Sequence, residues 1–225
     1  MITFLPLAIT QVSEHHACLG AVSASGTWLR PSPILVSDVE RYDSPYRYFW
    51  WAAANVSQSE SINRQPEDCY FLDDPPCPRL IECVSSSRRQ AFLEAHLDAS
   101  VEEAFSGGRT LGLAKVLVEK VYRSESSSGR PLVKCEFMDS TGTCHDWMIA
   151  ERKFKRMFGL NPSSPKRQKL YPRAVDVFRQ MSVYFVLGLT KPKDGISGRF
   201  GGSIPLVVGI HTEPDYYAIL GALND

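Results

Sequence analysis

No apolar run in this 225-residue chain approaches the roughly 18 residues that a membrane-spanning helix needs. A membrane partner is therefore not expected. The stretch Met1 to Thr10 is apolar but has no Lys or Arg ahead of its apolar core, which a secretory signal requires. Its alternation suits a first strand instead. Cys-x-x-Cys spacing is also missing, although six cysteines are present: Cys18, Cys69, Cys77, Cys83, Cys135 and Cys144. A chain of this size with 44% hydrophobic residues has enough core to fold without disulfide staples. Free, mostly buried thiols in a reducing cytoplasm are the expectation.

The sequence is equally poor in catalytic and metal-binding signatures. It has no phosphate-cradling Gly-x-x-x-x-Gly-Lys-(Ser/Thr), no Gly-x-Ser-x-Gly elbow and no Cys–His pair with a known signature. His15-His16-x-Cys18 and Cys144-His145 lack the second ligand pair that zinc requires. Asp73-Asp74 and Asp215 form no two-metal pattern, and Asp215 reads as a turn or cap residue. No enzyme, metal or cofactor is expected.

Net charge is absent too, with 25 basic and 25 acidic side chains. The distribution is uneven. Residues 1–100 carry 7 basic and 12 acidic groups, whereas residues 101–225 carry 18 and 13. A polyanion would be drawn to the second half.

What the sequence does contain is strand signal. Ile2 to Thr10, Ala17 to Ser23 and Thr27 to Ile34 are apolar runs, the last two joined by Ser23-Ala24-Ser25-Gly26, a hairpin turn. Arg47 to Val56 and Arg79 to Val84 read as further strands. Ser57 to Pro78 between them is polar, and Pro75-Pro76 and Pro78 bar a central strand there. Ser87 to Leu97 has helical spacing. Ser100-Val101-Glu102-Glu103 fits a capping box, and Gly107-Gly108 ends the helix it opens.

Strands resume at Leu111 to Arg123, Leu132 to Asp139, His145 to Ala150, Val183 to Leu189 and Ile204 to His211. Short helices are expected over Arg152 to Phe158 and Leu170 to Met181. The result is a mainly β chain with short helices, built as two tandem small β-barrels. The divisions are a first barrel at 1–85, a helical linker at 86–108, and a second barrel at 109–225 carrying a basic insert at 151–173.

Four segments resemble the bacterial dual OB-fold domain family, in which two oligonucleotide-binding-type barrels stand in tandem. Cys18-Leu19-Gly20-Ala21-Val22 with Gly26-Thr27-Trp28-Leu29-Arg30-Pro31 is similar to its opening hairpin and Trp-x-Arg-Pro signature. Arg64-Gln65-Pro66-Glu67-Asp68 resembles its Gln-x-Glu-Asn segment, with Asp68 in place of Asn. Leu187-Gly188-Leu189-Thr190-Lys191-Pro192 resembles Gly-Leu-(Ser/Thr)-Arg-Pro, with Lys191 in place of Arg. Gly209-Ile210-His211-Thr212-Glu213-Pro214-Asp215-Tyr216 resembles its closing motif. In order, these span nearly the whole chain. The resemblance implies two OB-like barrels and binding of nucleic acid, often within anti-phage or mobile-element conflict systems. The departures at Asp68 and Lys191 bear on ligand contacts more than on fold.

Candidate nucleic-acid-binding residues follow. Alternation puts Trp28 and Arg30 on one strand face, where they could stack a base and meet a phosphate. They would equally suit a domain junction and an ion pair. Tyr48 and Trp50 belong to an aromatic cluster too dense for one small core; base stacking and packing between barrels compete for it. Arg152, Lys153, Lys155, Arg156, Lys166, Arg167 and Lys169 form the basic insert, where residues 151–173 hold eight basic side chains and one acidic. Such a run suits a phosphate backbone, or a solvated face. Lys191 and Arg199 flank a Gly-containing hairpin loop that can clamp a strand or merely connect. The expected partner is single-stranded DNA or RNA. Two alternatives stand beside it: an interaction scaffold within a multi-subunit defence complex, and a nucleotide or small-molecule sensor with a pocket between the barrels.

Overall fold

The computed structural model describes all residues except 59–64, 159–169, 193–198 and 223–225. Its first unit is one curled sheet. In chain order it contains β1 (Ile2–Gln11), β2 (His16–Ser23), β3 (Trp28–Ser32), the short β4 (Ile34–Leu35), helix α1 (Val36–Glu40), β5 (Trp50–Ala54), β6 (Val56–Gln58), β7 (Asp68–Phe71) and β8 (Arg79–Cys83). Across the sheet the order is β6-β7-β3-β2-β1-β5-β8, with β4 paired to β2. Only Asn55 separates β5 from β6, and its carbonyl accepts from Leu72 N just past β7. The sheet therefore curls until the strand that leaves β1 as β5 reaches β7 as β6.

Helices α2 (Ser86–Glu94) and α3 (Val101–Ala104) follow, then a 3-10 turn over Ser106–Gly108. The Ser100 half of the expected capping box is present, and the Glu103 side chain reaches back to the residue before the cap. Ser100 Oγ accepts from Glu103 N at 3.1 Å, and the Glu103 carboxylate accepts from Ala99 N. The second unit is a closed five-stranded barrel of β9 (Leu111–Glu125), β10 (Pro131–Asp139), β11 (Cys144–Ile149), β12 (Ser182–Leu189) and β13 (Pro205–Glu213), closed in the order β10-β11-β13-β12-β9. Helices α4 (Arg152–Phe158) and α5 (Leu170–Phe178) lie between β11 and β12, and α6 (Tyr216–Ala222) follows β13.

The two units share one plan. In each, three antiparallel strands come first, a later strand (β5 or β12) returns to the first of them, and the third pairs in parallel with a strand further on. The parallel pairs are β3 with β7 and β11 with β13. The chain is thus mainly β with short helices and two OB-like units, the first curled and the second closed.

Three apolar clusters hold this arrangement. Phe4, Ile9, Leu19, Ala21, Tyr46 and Phe71 fill the inside of the first sheet. Phe137, Trp147, Ile149, Phe185 and Val207 fill the barrel, with Phe154, Phe178 and Tyr216 from the helices in the same core. The third cluster is the junction. Leu5, Leu7, Val22 and Trp28 of the first unit meet Leu111, Leu113, Tyr184, Val186 and Val208 of the second, with Leu93 of α2 joining them. Gly209 lets β13 come close to β1: a Cβ there would overlap the carbonyl oxygen of Leu7. That carbonyl accepts from His211 Nε2 at 2.7 Å.

Several expectations are corrected. β6 and β7 run into the stretch read as turn-rich, because the pairing of β7 with β3 and of β6 with β7 supplies an order that a few residues of local pattern do not. Arg47 to Phe49 lie outside the strand. Helices α1 and α6 were not foreseen. Only Cys69 and Cys135 are buried; Cys18 is half-buried, and Cys77, Cys83 and Cys144 are exposed. Among the described residues, no helix is long and apolar enough to cross a membrane.

Candidate functional site

Side-chain alternation builds the site. On β2 and β3 the residues Leu19, Ala21 and Leu29 point into the first core, so Cys18, Gly20, Val22, Trp28 and Arg30 point outward. On β1, Ala8 and Thr10 share that outer face. The second unit covers the Val22–Trp28 end. The Arg30 end stays open and forms a cavity of about 540 Å³. Leu111, Gly188, Leu189, Thr190, Lys191, Leu206 and Val208 supply its far wall. The floor is therefore apolar, and the polar groups gather at one end.

That end is a bonded cluster spanning both units. Arg30 and Asp68 are register partners on the parallel strands β3 and β7. Arg30 Nη1 donates to Asp68 Oδ1 at 3.2 Å and to Gln65 Oε1, and Nη2 donates to Thr110 Oγ1 at 3.0 Å. Gln65 Nε2 donates to Leu189 O at 3.0 Å, and Gln65 N to Asp68 Oδ2 at 2.9 Å. Glu67 is buried and accepts from Thr110 N, Thr110 Oγ1 and Leu111 N at 2.6, 2.6 and 3.2 Å. Lys191 Nζ stands 3.8 Å from Asp68 Oδ2, with its side chain 59% exposed. Burial pushes the Cys18 thiol up, against the opposing pull of Arg30. An enclosure with an apolar body and one lysine at its mouth suits a ligand with a flat apolar part and an anionic part.

The other predicted residues are placed elsewhere. Trp28 is 7% exposed inside the junction, so its ring is not offered to a ligand. Tyr48 donates to Glu151 Oε1 at 2.8 Å. Trp50 is half-buried with the Arg47 guanidinium 5.6 Å from its ring. Arg152 donates to Glu40 and its side chain is 12% exposed. Arg156 reaches the same Glu40 at 3.5 Å, and Lys153 sits 3.2 Å from Asp215. These three bases and Tyr48 border a separate cavity of about 190 Å³. Lys155 is exposed on α4. Arg199 pairs with Glu102, while Phe200 packs on Phe105 with ring centres 5.3 Å apart. Lys166, Arg167 and Lys169 lie outside the described residues, as does most of the loop before Arg199. Of the thirteen candidates, Arg30 and Lys191 come together at the large cavity.

Two buried titratable groups at the junction escaped the sequence reading. Glu151 is 0% exposed and accepts from Phe154 N, Tyr48 Oη and Tyr216 Oη. Burial pushes its carboxyl up to about 7, against the pull of those donors. His211 is pushed down to about 4, again by burial. The one signal for Glu151 was its position as the single acid in a basic run. Asp215 accepts from Tyr217 N at 3.0 Å, the cap role expected of it.

Among the described residues, no three His, Cys, Asp or Glu side chains gather as metal ligands would. No protein-family model matches the chain, and no curated protein matches it.

Proposed function

We propose that this protein binds single-stranded nucleic acid, and that the junction cavity takes one nucleotide unit of the strand. The observation that carries this reading is the place of the cavity. It opens on the outer β1-β2-β3 face of an OB-like unit, and OB folds use that side of the barrel to hold oligonucleotides. Arg30 and Lys191 border it, and its volume of about 540 Å³ lies in the range of small-ligand sites. The base would lie on the apolar floor, with Lys191 at the mouth meeting a phosphate. Asp68 holds Arg30 in place, so Lys191 is the more accessible charge.

The test is fluorescence anisotropy with short labelled DNA and RNA strands across a salt series. Each neutralised phosphate should contribute a log–log slope of about −0.7. Lys191→Ala should weaken binding and flatten the slope by about that amount. Binding that ignores salt, or that Lys191→Ala leaves untouched, would reject this reading.

A second reading, a sensor of free nucleotides, draws on two observations. The cavity is pocket-like, and Arg152, Lys153 and Arg156 are paired with acids rather than arrayed along a strand path. A free nucleotide at a hundred times its dissociation constant would stabilise the fold by about 2.7 kcal/mol. Stabilisation by mononucleotides, without tighter binding of longer strands, would favour it. A scaffold role, a place in a bacterial anti-phage or mobile-element conflict system and a cytoplasmic location belong to the proposal through the sequence resemblance and the free cysteines alone.

A further inference from the structure

A second, smaller cavity of about 200 Å³ lies where three parts of the chain meet. Phe49 comes from the first unit, Arg89 from α2, Lys153 from α4, and His211 and Asp215 from β13 and the turn after it. Two cations and one carboxylate leave the cavity one net positive charge. Lys153 Nζ stands 3.2 Å from both oxygens of Asp215. The Arg89 guanidinium lies 5.0 Å from the centre of the Phe49 ring and has no acidic partner among the described residues. Its Nε makes a long 3.3 Å contact to Val84 O, so most of its donors are not committed to carboxylates.

His211 adds a group of the opposite kind. Its Nε2 carries the proton given to Leu7 O, which leaves Nδ1 as an acceptor. Burial keeps the ring neutral at ordinary pH. The cavity therefore offers cationic donors together with a neutral acceptor, beside the Asp215 carboxylate that Lys153 already engages. Phe49 contributes an independent sign. Its φ of +60° is a left-handed conformation that a bulky residue adopts at a cost of about 1–2 kcal/mol. Backbone strain of this kind persists where the surrounding structure imposes it and clusters at ligand clamps.

We propose that this cavity binds a hydrogen phosphate group, carried either by free inorganic phosphate, which keeps a proton at pH 7, or by the end of a nucleotide in its singly protonated form. Arg89 and Lys153 take the anionic oxygens, and the remaining P–OH donates to His211 Nδ1. Sulfate has similar shape and charge but no proton at neutral pH, so its oxygen would face the Nδ1 lone pair. Because the walls come from both units and α2, the group binds only the docked arrangement. This site is separate from the larger cavity and does not depend on its reading.

The test is thermal unfolding of the intact protein at pH 7, in inorganic phosphate and in sulfate at equal ionic strength, with AMP and adenosine as further arms. Phosphate at a hundredfold over its dissociation constant should raise the midpoint by about 5 °C or more above sulfate. Arg89→Gln and Lys153→Gln should each remove most of that difference. An AMP shift that exceeds adenosine's and is lost in Arg89→Gln would assign the terminal phosphate of a nucleotide. A shift with inorganic phosphate alone would assign the free ion. Equal responses to phosphate and sulfate, no response to any arm, or a phosphate shift that survives both substitutions would overturn the proposal.

Discussion

Lys191 Nζ lies 3.8 Å from Asp68 Oδ2, across the seam between the two OB-like units. The two residues are far apart in the chain and are neighbours in the fold. A carboxylate on β7 meets an ammonium just past β12, and the same carboxylate anchors Arg30. Asp68 therefore joins two cations from different strands at the cavity mouth, Arg30 and Lys191.

Asp68 should matter more to stability than Lys191. Its carboxylate faces Arg30, whose side chain is 12% exposed, and also accepts Gln65 N. Asp68→Ala would leave a nearly buried guanidinium without its carboxylate, at a cost of about 2–3 kcal/mol. Asp68→Asn keeps an acceptor and should cost about 1 kcal/mol. Lys191→Ala, at an exposed group, should cost less than about 0.5 kcal/mol. Urea unfolding of the three variants checks this ranking, and a Lys191→Ala loss as large as that of Asp68→Ala would contradict it.

Gly209→Ala should be among the most damaging small changes. The added Cβ meets first a backbone oxygen of β1, which cannot swing away, and then the branched side chain of Val186. It would also disturb the bond from His211 to Leu7. A loss of about 3 kcal/mol is expected, the upper part of the usual overpacking range. The melting temperature reports it directly, and an unchanged value would show that β1 and β13 are not in close contact.

Glu151 and His211 should give the stability profile an unusual flat region. The Glu151 carboxyl is raised from 4.5 to about 7, so its contribution is complete below pH 4.5 and is lost as pH rises through about 7. His211 is lowered from 6.5 to about 4, so its contribution is present above pH 6.5 and is lost as pH falls through about 4. Each effect amounts to about 3 kcal/mol and their slopes oppose between pH 4.5 and 6.5. Glu151→Gln should remove one slope and reveal stability that climbs with pH across that window. Urea midpoints at several pH values test this, and parallel curves for the wild type and Glu151→Gln would refute it.

Trp28 should be a structural residue. Trp28→Ala should cost about 3–5 kcal/mol as a junction cavity opens. Trp28→Phe should cost less and leave oligonucleotide affinity unchanged, because the ring lies under the second unit. Loss of oligonucleotide affinity in a folded Trp28→Phe protein would place the ring in the binding surface after all.

The long, regularly patterned elements were legible in the sequence. Ile2–Gln11, Leu111–Glu125 and Ser182–Leu189 announce themselves by apolar β-branched runs, and Ser100 with Glu103 announces the short helix α3 by its capping box. Asp68–Phe71 did not, because a four-residue strand in a polar stretch owes its order to β3. Within the site, alternation alone put Trp28 and Arg30 on one face. It could not say that one end of that face would be covered and the other left open. Glu40 and Asp215 neutralise much of the basic α4, and no local pattern pairs residues so far apart.

By itself, then, the sequence determined the β character, the hairpins and the face on which each strand residue lies, since these depend on backbone geometry repeated every two residues. Tertiary structure alone decided which charges stay available and where cavities form. Those properties depend on which surfaces become neighbours when Leu5, Leu7 and Val22 seek burial against Leu113, Tyr184 and Val186, a choice made between residues far apart in the chain.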